Sequence, residues 1–317
     1  MAIPAEERQA WKRVFGPVAS RRLGHSLGID IIPRKTCTLD CVYCEVGRTS
    51  NKTMQIDSYI DAEEILDEID DFLGARDLKL DFVTITGSGE PTLHRDLGFI
   101  IRRIKQMTKL PLAVLTNGTL FSSESVREAV LEADLLAPSL DAALDESFQK
   151  VNQPHPSLEL TQVIDGLVQL RKSFQNAFWL EILLVKGFND AEQDLEALRR
   201  AVMKIGPDRI QLNTVERPPA LAGVRAVDRG FLERCRARMG DRAEIIASFK
   251  GDAEGAASQG TAEEIVRMIR RRPCGLDEIS VALSIPRDLL GPVMEELLHS
   301  GRVEKRWHRG MSYYHAG

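Results

Sequence analysis

The 317-residue chain carries 42 Lys and Arg against 47 Asp and Glu, a net charge of −5, which excludes bulk electrostatic capture of a polyanion as its means of binding. Its hydrophobic content of 43% supplies core enough for one large domain and one small one, while the absence of any run of about 18 apolar residues excludes a membrane-spanning helix. The five cysteines are odd in number and clustered, which argues against a disulfide framework and for a reducing compartment; the opening residues 1–8 hold no apolar signal-peptide core, so a cytoplasmic location is expected.

Residues 1–14 read as a short polar helix. The stretch Phe15–Gly28 holds three glycines and a proline and reads as irregular backbone. Within it, Arg21 and Arg22 are suited either to fork around a carboxylate or phosphate or to form a structural ion pair, and His25 is expected to pack or hydrogen-bond locally. Gly28–Pro33 reads as a first strand that delivers Cys37, Cys41 and Cys44, spaced C-x3-C-x2-C. Thiolates select iron–sulfur clusters, zinc or copper(I). Three thiols are one short of the four that close a structural site, and a cubane held by three leaves one iron open to a ligand. A zinc knuckle or a set of buried structural thiols is the alternative.

Beyond the cysteines, strand and helix alternate. Helices are expected over 58–72, 97–107, 122–132, 158–172 and 195–205, and strands over 80–86, 112–116, 135–140, 178–185 and 209–215. Such repetition predicts an α/β fold of parallel βα units, a partial (β/α)6 TIM-type barrel with its chemistry on the loops at the carboxyl ends of the strands. Those ends carry Gly87-Ser88-Gly89-Glu90-Pro91, Thr116-Asn117-Gly118 and Ser139-Leu140-Asp141, then Lys186, and Asn213 with Glu216. Glu181, inside an apolar strand, must face the lumen and be paired or face water. Asn117, Ser139 and Asp141 suit either ligand contact or turn and capping duty. Cys235, in a helix over 231–239, and Cys274, at the start of a helix, are isolated and read as structural.

The composition changes after 249. Residues 250–260 read as a Gly/Ala/Ser linker, dividing a domain over 1–249 from one over 261–317. The latter reads as helices over 261–272, 276–283 and 286–299, then a hairpin of 302–307 with 311–314, and resembles a winged helix. Its hairpin is basic and aromatic through Lys305, Arg306, Trp307 and Arg309, but the third helix carries Asp288, Glu295 and Glu296, which disfavours reading of duplex DNA. A peptide or an RNA remains as its partner, or a purely structural role.

Taken together, Cys-x3-Cys-x-Tyr43-Cys and the Gly-Ser-Gly-Glu-Pro loop resemble the cysteine signature and the Gly-Gly-Glu-Pro motif of the radical S-adenosylmethionine (radical SAM) superfamily, over roughly residues 15–250. That resemblance implies a [4Fe-4S] cluster on Cys37, Cys41 and Cys44. It implies S-adenosylmethionine (SAM) with its amine on Glu90, backbone contacts from Gly87, Ser88 and Gly89, and Tyr43 against the adenine. Asn117, Ser139 and Asp141 would serve the ribose and carboxylate. It further implies an iron–sulfur oxidoreductase type of enzyme that cleaves SAM reductively with an electron donor such as flavodoxin or ferredoxin. The run Phe15 to Gly28 is similar to a bacterial group related to wyosine-tRNA synthetases, although those enzymes carry extra N-terminal cysteines and this chain has none before Cys37. A rival reading is a metal- or redox-sensing winged-helix regulator built on the same cysteines.

Overall fold

Alternating strands and helices build one mixed sheet whose neighbours follow chain order. In a computed structural model, residues 13–20, 22–74, 79–247, 262–283 and 287–316 are described. The sheet runs β1 (Val14–Ser20), β2 (Gly24–Asp30), β3 (Phe82–Thr86), β4 (Leu112–Thr116), β5 (Leu135–Pro138), β6 (Ala177–Leu184), β7 (Arg209–Thr214) and β8 (Ala243–Ile245). Only β1 is antiparallel to its neighbour; β2 through β8 are parallel. In register Asp30 stands opposite Thr86, Thr116 opposite Pro138, and Leu184 opposite Thr214, so the following loops leave on one rim.

The crossover helices are α1 (Ala62–Gly74), α2 (Leu97–Met107), α3 (Glu124–Ala129), α4 (Asp145–Val151), α5 (Leu160–Ser173), α6 (Glu192–Ile205) and α7 (Arg229–Met239). Each buries one stripe: Ile65, Leu66, Ile69 and Phe72 on α1, and Leu97, Ile100, Ile101 and Ile104 on α2. Along β6 burial alternates strictly, with Phe178, Leu180, Ile182 and Leu184 buried and the odd positions half-buried. That period puts Glu181 and Leu183 on the opposite face, where they line the cavity described below. Among the described residues no helix is long and apolar enough to cross a membrane.

Several expectations are corrected. Phe15–Gly28 is not irregular: β1 and β2 form a hairpin, with Phe15 opposite Gly28 and Val18 opposite Ser26, and the slip between Phe15 and Val18 absorbs Gly16 and Pro17. The first parallel strand is therefore Gly24–Asp30 rather than 28–33. Helix α4 and strand β8 went unrecognised because each is short and carries little periodic signal. Of the N-terminal helix expected over 1–14, residues 1–12 lie outside the described residues, as do Arg21, the stretch 250–260, Thr261 and Pro286, while Val14 opens β1.

Residues 262–316 form α8 (Ala262–Arg271), β9 (Cys274–Gly275), α9 (Leu276–Leu283), α10 (Arg287–His299), β10 (Val303–His308) and β11 (Met311–Ala316). The three strands are antiparallel in the order β9-β11-β10. Cys274 does not open a helix; it pairs with Tyr314 in β9. Ile265, Ile269, Ile279, Leu290, Met294 and Leu297 close an apolar cluster separate from that of the barrel. Helix α9 packs against β1. The hairpin reaches the loop after β7, where Tyr313 Oη donates to the Glu216 carbonyl at 3.0 Å and Arg309 to the Val215 carbonyl at 3.3 Å.

Candidate active site

The cysteine loop is held by its own short pairings. Thr36 and Cys37 pair with Asn51 and Lys52. The loop then zips onto the segment after α4 through Asp40 N to the Asn152 carbonyl (3.0 Å), Val42 N to the Val151 carbonyl (3.0 Å) and His155 N to the Thr38 carbonyl (2.8 Å). The buried Asp40 carboxylate accepts Thr49 N at 2.7 Å and pairs with Arg48. All three thiols of the loop are free, half-buried and line one cavity. Burial, with the Glu90 charge behind it, pushes Cys37 up to about 11, and burial with Asp141 pushes Cys41 well above the usual thiol range. Each sulfur meets one side-chain donor: Asn117 Nδ2 at 3.4 Å from Cys37 Sγ, Asn152 Nδ2 at 3.4 Å from Cys41 Sγ, and Lys35 Nζ at 3.1 Å from Cys44 Sγ.

The Gly-Ser-Gly-Glu loop leaves β3 beside this trio. Gly87 has φ +151, and a Cβ there would lie 2.2 Å from Asp30 Oδ1. At Gly89 a Cβ would lie 2.3 Å from the Thr36 carbonyl, so the cysteine strand and this loop pack backbone to backbone. Ser88 turns away from the cavity. Its Oγ and N donate to Asp30 Oδ2 at 2.6 and 3.2 Å, and its carbonyl accepts Lys35 N at 2.7 Å. With both backbone groups engaged, Ser88 shapes the loop.

Glu90 is buried at 2% exposure and lines the cavity. Its Oε1 accepts Thr92 N (3.0 Å), Thr92 Oγ1 (2.6 Å) and Thr116 Oγ1; its Oε2 accepts Asn117 N at 2.7 Å. Burial raises its pKa, and those four donors oppose the rise. Oε2, with one donor, keeps a lone pair for a cation. Asn117 turns its side chain to Thr38 and Cys37 and so ties the end of β4 to the cysteines.

Tyr43 Oη donates to Asp141 Oδ2, which also accepts Asn152 Nδ2 at 2.7 Å, while Leu183 N donates to Asp141 Oδ1 at 2.9 Å. Burial lifts Asp141 to about 6 against these hydrogen bonds. Ser139 bridges β4 and β6 through its backbone and lines the cavity. In the lumen Glu181 is clasped by Arg22 at 2.8 Å and Asn213 at 2.9 Å, with Arg22 also reaching Gln211 at 3.0 Å. Arg22 is thus an internal ion-pair residue. His25 pairs with Asp81, and exposed Lys186 stays outside the cavity.

Val215-Glu216-Arg217, after β7, form a further lip of the cavity. Arg217 bridges Glu45, one residue past Cys44, at 2.8 Å and Glu278 of α9. Burial works against its charge, but the two carboxylates outweigh burial and hold its pKa well above the usual range. The cavity between these walls measures about 360 Å³ and takes in every proposed site residue except Ser88. Leu39, Leu115, Ala137, Phe148, Val163 and Leu183 give it apolar cover. Sequence reasoning missed Lys35, Asn152 and Arg217. Nothing local in the sequence says that Asn152 faces the cysteines, and Arg217 is defined by contacts 172 and 61 residues away.

Among the described residues no three His, Cys, Asp or Glu side chains form a group that could hold a single metal ion. The three thiols that line the cavity fit a cluster held by three cysteines, with one iron left for a further ligand. Asn152 Oδ1 is buried on the same wall without a hydrogen-bond partner, an acceptor that a ligand donor can satisfy.

Comparison with known proteins agrees with this geometry. Residues 31–199 match the family model described as Radical SAM superfamily. A UPF0026 protein of Helicobacter pylori (strain J99) is 31% identical over 272 residues, covering 85% of this chain and 87% of that protein. A protein named GTPase Obg, from Brachyspira hyodysenteriae, is 34% identical over 306 residues; the match takes in 96% of this chain but only 45% of that protein's length. Among solved structures, a radical SAM methyltransferase from Sphaerobacter thermophilus superposes with a TM-score of 0.54 at 16% identity, over 70% of this chain and 66% of that one, which shows a shared fold.

Proposed function

This chain belongs to the radical SAM superfamily, alongside the UPF0026 proteins, and we propose that it binds a [4Fe-4S] cluster and SAM at the described cavity to start radical chemistry on a substrate admitted at the Val215–Arg217 lip. The observation that carries this reading is one wall on which three thiols stand beside a buried carboxylate held by four donors. The chemistry such a group supplies when bound is the one-electron reductive cleavage of SAM.

Cys37, Cys41 and Cys44 are the ligands, and the burial-raised pKa values of Cys37 and Cys41 mean that loading must expel protons from those two thiols. Glu90 receives the SAM ammonium at Oε2, already oriented by Thr92, Thr116 and Asn117. Asp141, fixed by Leu183 N, holds Tyr43 in place, and Asn152 Oδ1 offers an acceptor to a ligand hydroxyl. Gly87 and Gly89 bring backbone close, Ser88 braces their loop, and Ser139 with Asn117 completes the rim. The apolar residues around them exclude water from a reactive radical. The regulator reading is set aside, since the family match includes the cysteines and the Gly-Ser-Gly-Glu loop.

Residues 262–316 are, in this reading, a winged-helix-like unit that presents a large substrate, a peptide or an RNA, at the lip. Arg309 and Tyr313 bind the barrel, which leaves Lys305 and the 72% exposed Trp307 to meet a partner. A flavodoxin or ferredoxin type of donor would supply the electron. Anaerobic reconstitution with iron and sulfide, followed by assay for 5′-deoxyadenosine with dithionite and SAM, tests the core of the proposal. Cys→Ala at position 37, 41 or 44 should abolish the visible absorbance of the cluster; full iron and sulfide in the triple variant overturns the assignment.

A further inference from the structure

Resting on the cluster assignment just made, we propose that Lys35 is a positioning residue that raises the reduction potential of the cluster, through a cationic hydrogen bond to the sulfur of Cys44. Lys35 is buried at 7% exposure, two residues before the first cysteine. Its backbone is left-handed, with φ +58, a conformation that side-chain-bearing residues seldom adopt. Two hydrogen bonds hold it there: Lys35 N to the Ser88 carbonyl at 2.7 Å and Asn51 N to the Lys35 carbonyl at 3.0 Å. The turn aims the side chain inward, and Nζ comes to 3.1 Å from Cys44 Sγ.

Two features set this contact apart. A buried cation requires an anion, and among the described residues Lys35 makes no salt bridge with a carboxylate; the acceptor it finds is the Cys44 sulfur. Cys37 and Cys41, by contrast, receive neutral amides from Asn117 and Asn152. One positive charge is therefore directed at one corner of the trio. Reduction adds one electron to the cluster and moves no proton, so the reduced state is the more negative of the two. A fixed cation in a dry setting stabilises that state more, and net charge and hydrogen bonds to sulfur are the levers that set such potentials. Lys35 also joins the cysteine loop to Ser88, which ties the tuning group to the loop that presents Glu90.

The full chain is reconstituted as wild type, Lys35→Met and Lys35→Arg, iron and sulfide are counted, and each midpoint is measured by EPR during dithionite titration without SAM. Lys35→Met should hold a full cluster and lower its midpoint, changing the oxidised-to-reduced ratio at fixed potential by about tenfold, or about 59 mV for a one-electron couple. Lys35→Arg should restore most of the difference. Should Lys35→Met fail to load, Lys35→Gln takes its place, keeping a donor without the charge, with the same expected sign. A loaded neutral variant with the wild-type midpoint overturns the tuning role alone. So does failure of both neutral variants to load, which makes Lys35 an assembly residue. Wild-type protein that takes up no cluster overturns the cluster assignment and this role with it.

Discussion

The two walls of the cavity are built on opposite plans. On the cysteine side strand ends, the cysteine loop and the segment after α4 supply the partners: Thr92, Thr116 and Asn117 hold Glu90, and Leu183, Asn152 and Tyr43 hold Asp141. On the lip side the carbonyls of Val215 and Glu216 and the guanidinium of Arg217 take partners from α9 and the β10–β11 hairpin. The first wall is organised before any ligand arrives, so a cation at Glu90 meets an oriented acceptor and little reorganisation is needed. The second takes part of its support from residues 262–316 and part from Glu45 of the cysteine loop, which pairs with Arg217 at 2.8 Å. On the function proposed above, the difference would separate two tasks: holding SAM, and admitting a substrate.

Glu90→Gln should break the first wall and spare the second. The lost charge-assisted bond is worth about 1.5–3 kcal/mol, so SAM affinity by calorimetry should fall about tenfold to a hundredfold. The amide must also turn an NH2 toward Thr92 N or Asn117 N, both donors, so the free protein should lose about 1–3 kcal/mol in thermal unfolding. Cluster content should persist, and hydrogen exchange over 276–283 should stay at the wild-type rate. Undiminished SAM affinity would remove Glu90 from the binding wall.

Arg217→Met should do the reverse. It strips Glu45 and Glu278 of their shared cation, at a cost of about 1–3 kcal/mol, placed toward the lower end by the partial solvent screening of both carboxylates. Exchange over 276–283 and 311–316 should quicken, while 82–86 and 112–116 keep their protection. Acid sharpens the test. Burial alone would raise the Glu278 pKa, but Arg217 and Arg272 hold it down to about 2, against an ordinary value of 4.5. A depressed carboxylate stabilises above its unfolded value and loses that contribution as pH falls from 4.5 through 2. Protection of α9 in the wild type should decline over that window, and in Arg217→Met it should start lower and decline less. Equal decline in both would sever Glu278 from Arg217.

What was legible in the sequence divides along the same line. The parallel strands, the helix over 97–107 and the cysteine wall are written locally, in period and in strand-end residues. Glu90 was singled out from the Gly-Ser-Gly-Glu-Pro loop read together with the cysteine spacing. The β1–β2 hairpin was misread because its glycines look like a loop, whereas pairing across Gly24 decides it. Lys35, Asn152 and Arg217 look like ordinary surface residues in the sequence. Each owes its role to a sulfur or a carboxylate brought near by the fold, and no short window carries that information.

Tyr313→Phe probes the lip most gently. It removes one hydroxyl that donates to the Glu216 carbonyl at 3.0 Å and leaves the ring in place. A single neutral hydrogen bond contributes about 0.5–1.5 kcal/mol net, so exchange over 311–316 should rise by a small factor, with less change over 276–283, where Arg217 still holds Glu278. Burial, then the Glu278 charge, lifts the phenol to about 12, so the wild-type bond persists through pH 10 and is lost only as pH rises through 12. Between pH 7 and 10 the difference between wild type and Tyr313→Phe should therefore be constant. SAM cleavage without substrate should be unchanged, since the cysteine wall takes nothing from Tyr313. If cleavage falls with docking, the two walls act as one, and residues 262–316 belong to radical generation as well as to substrate entry.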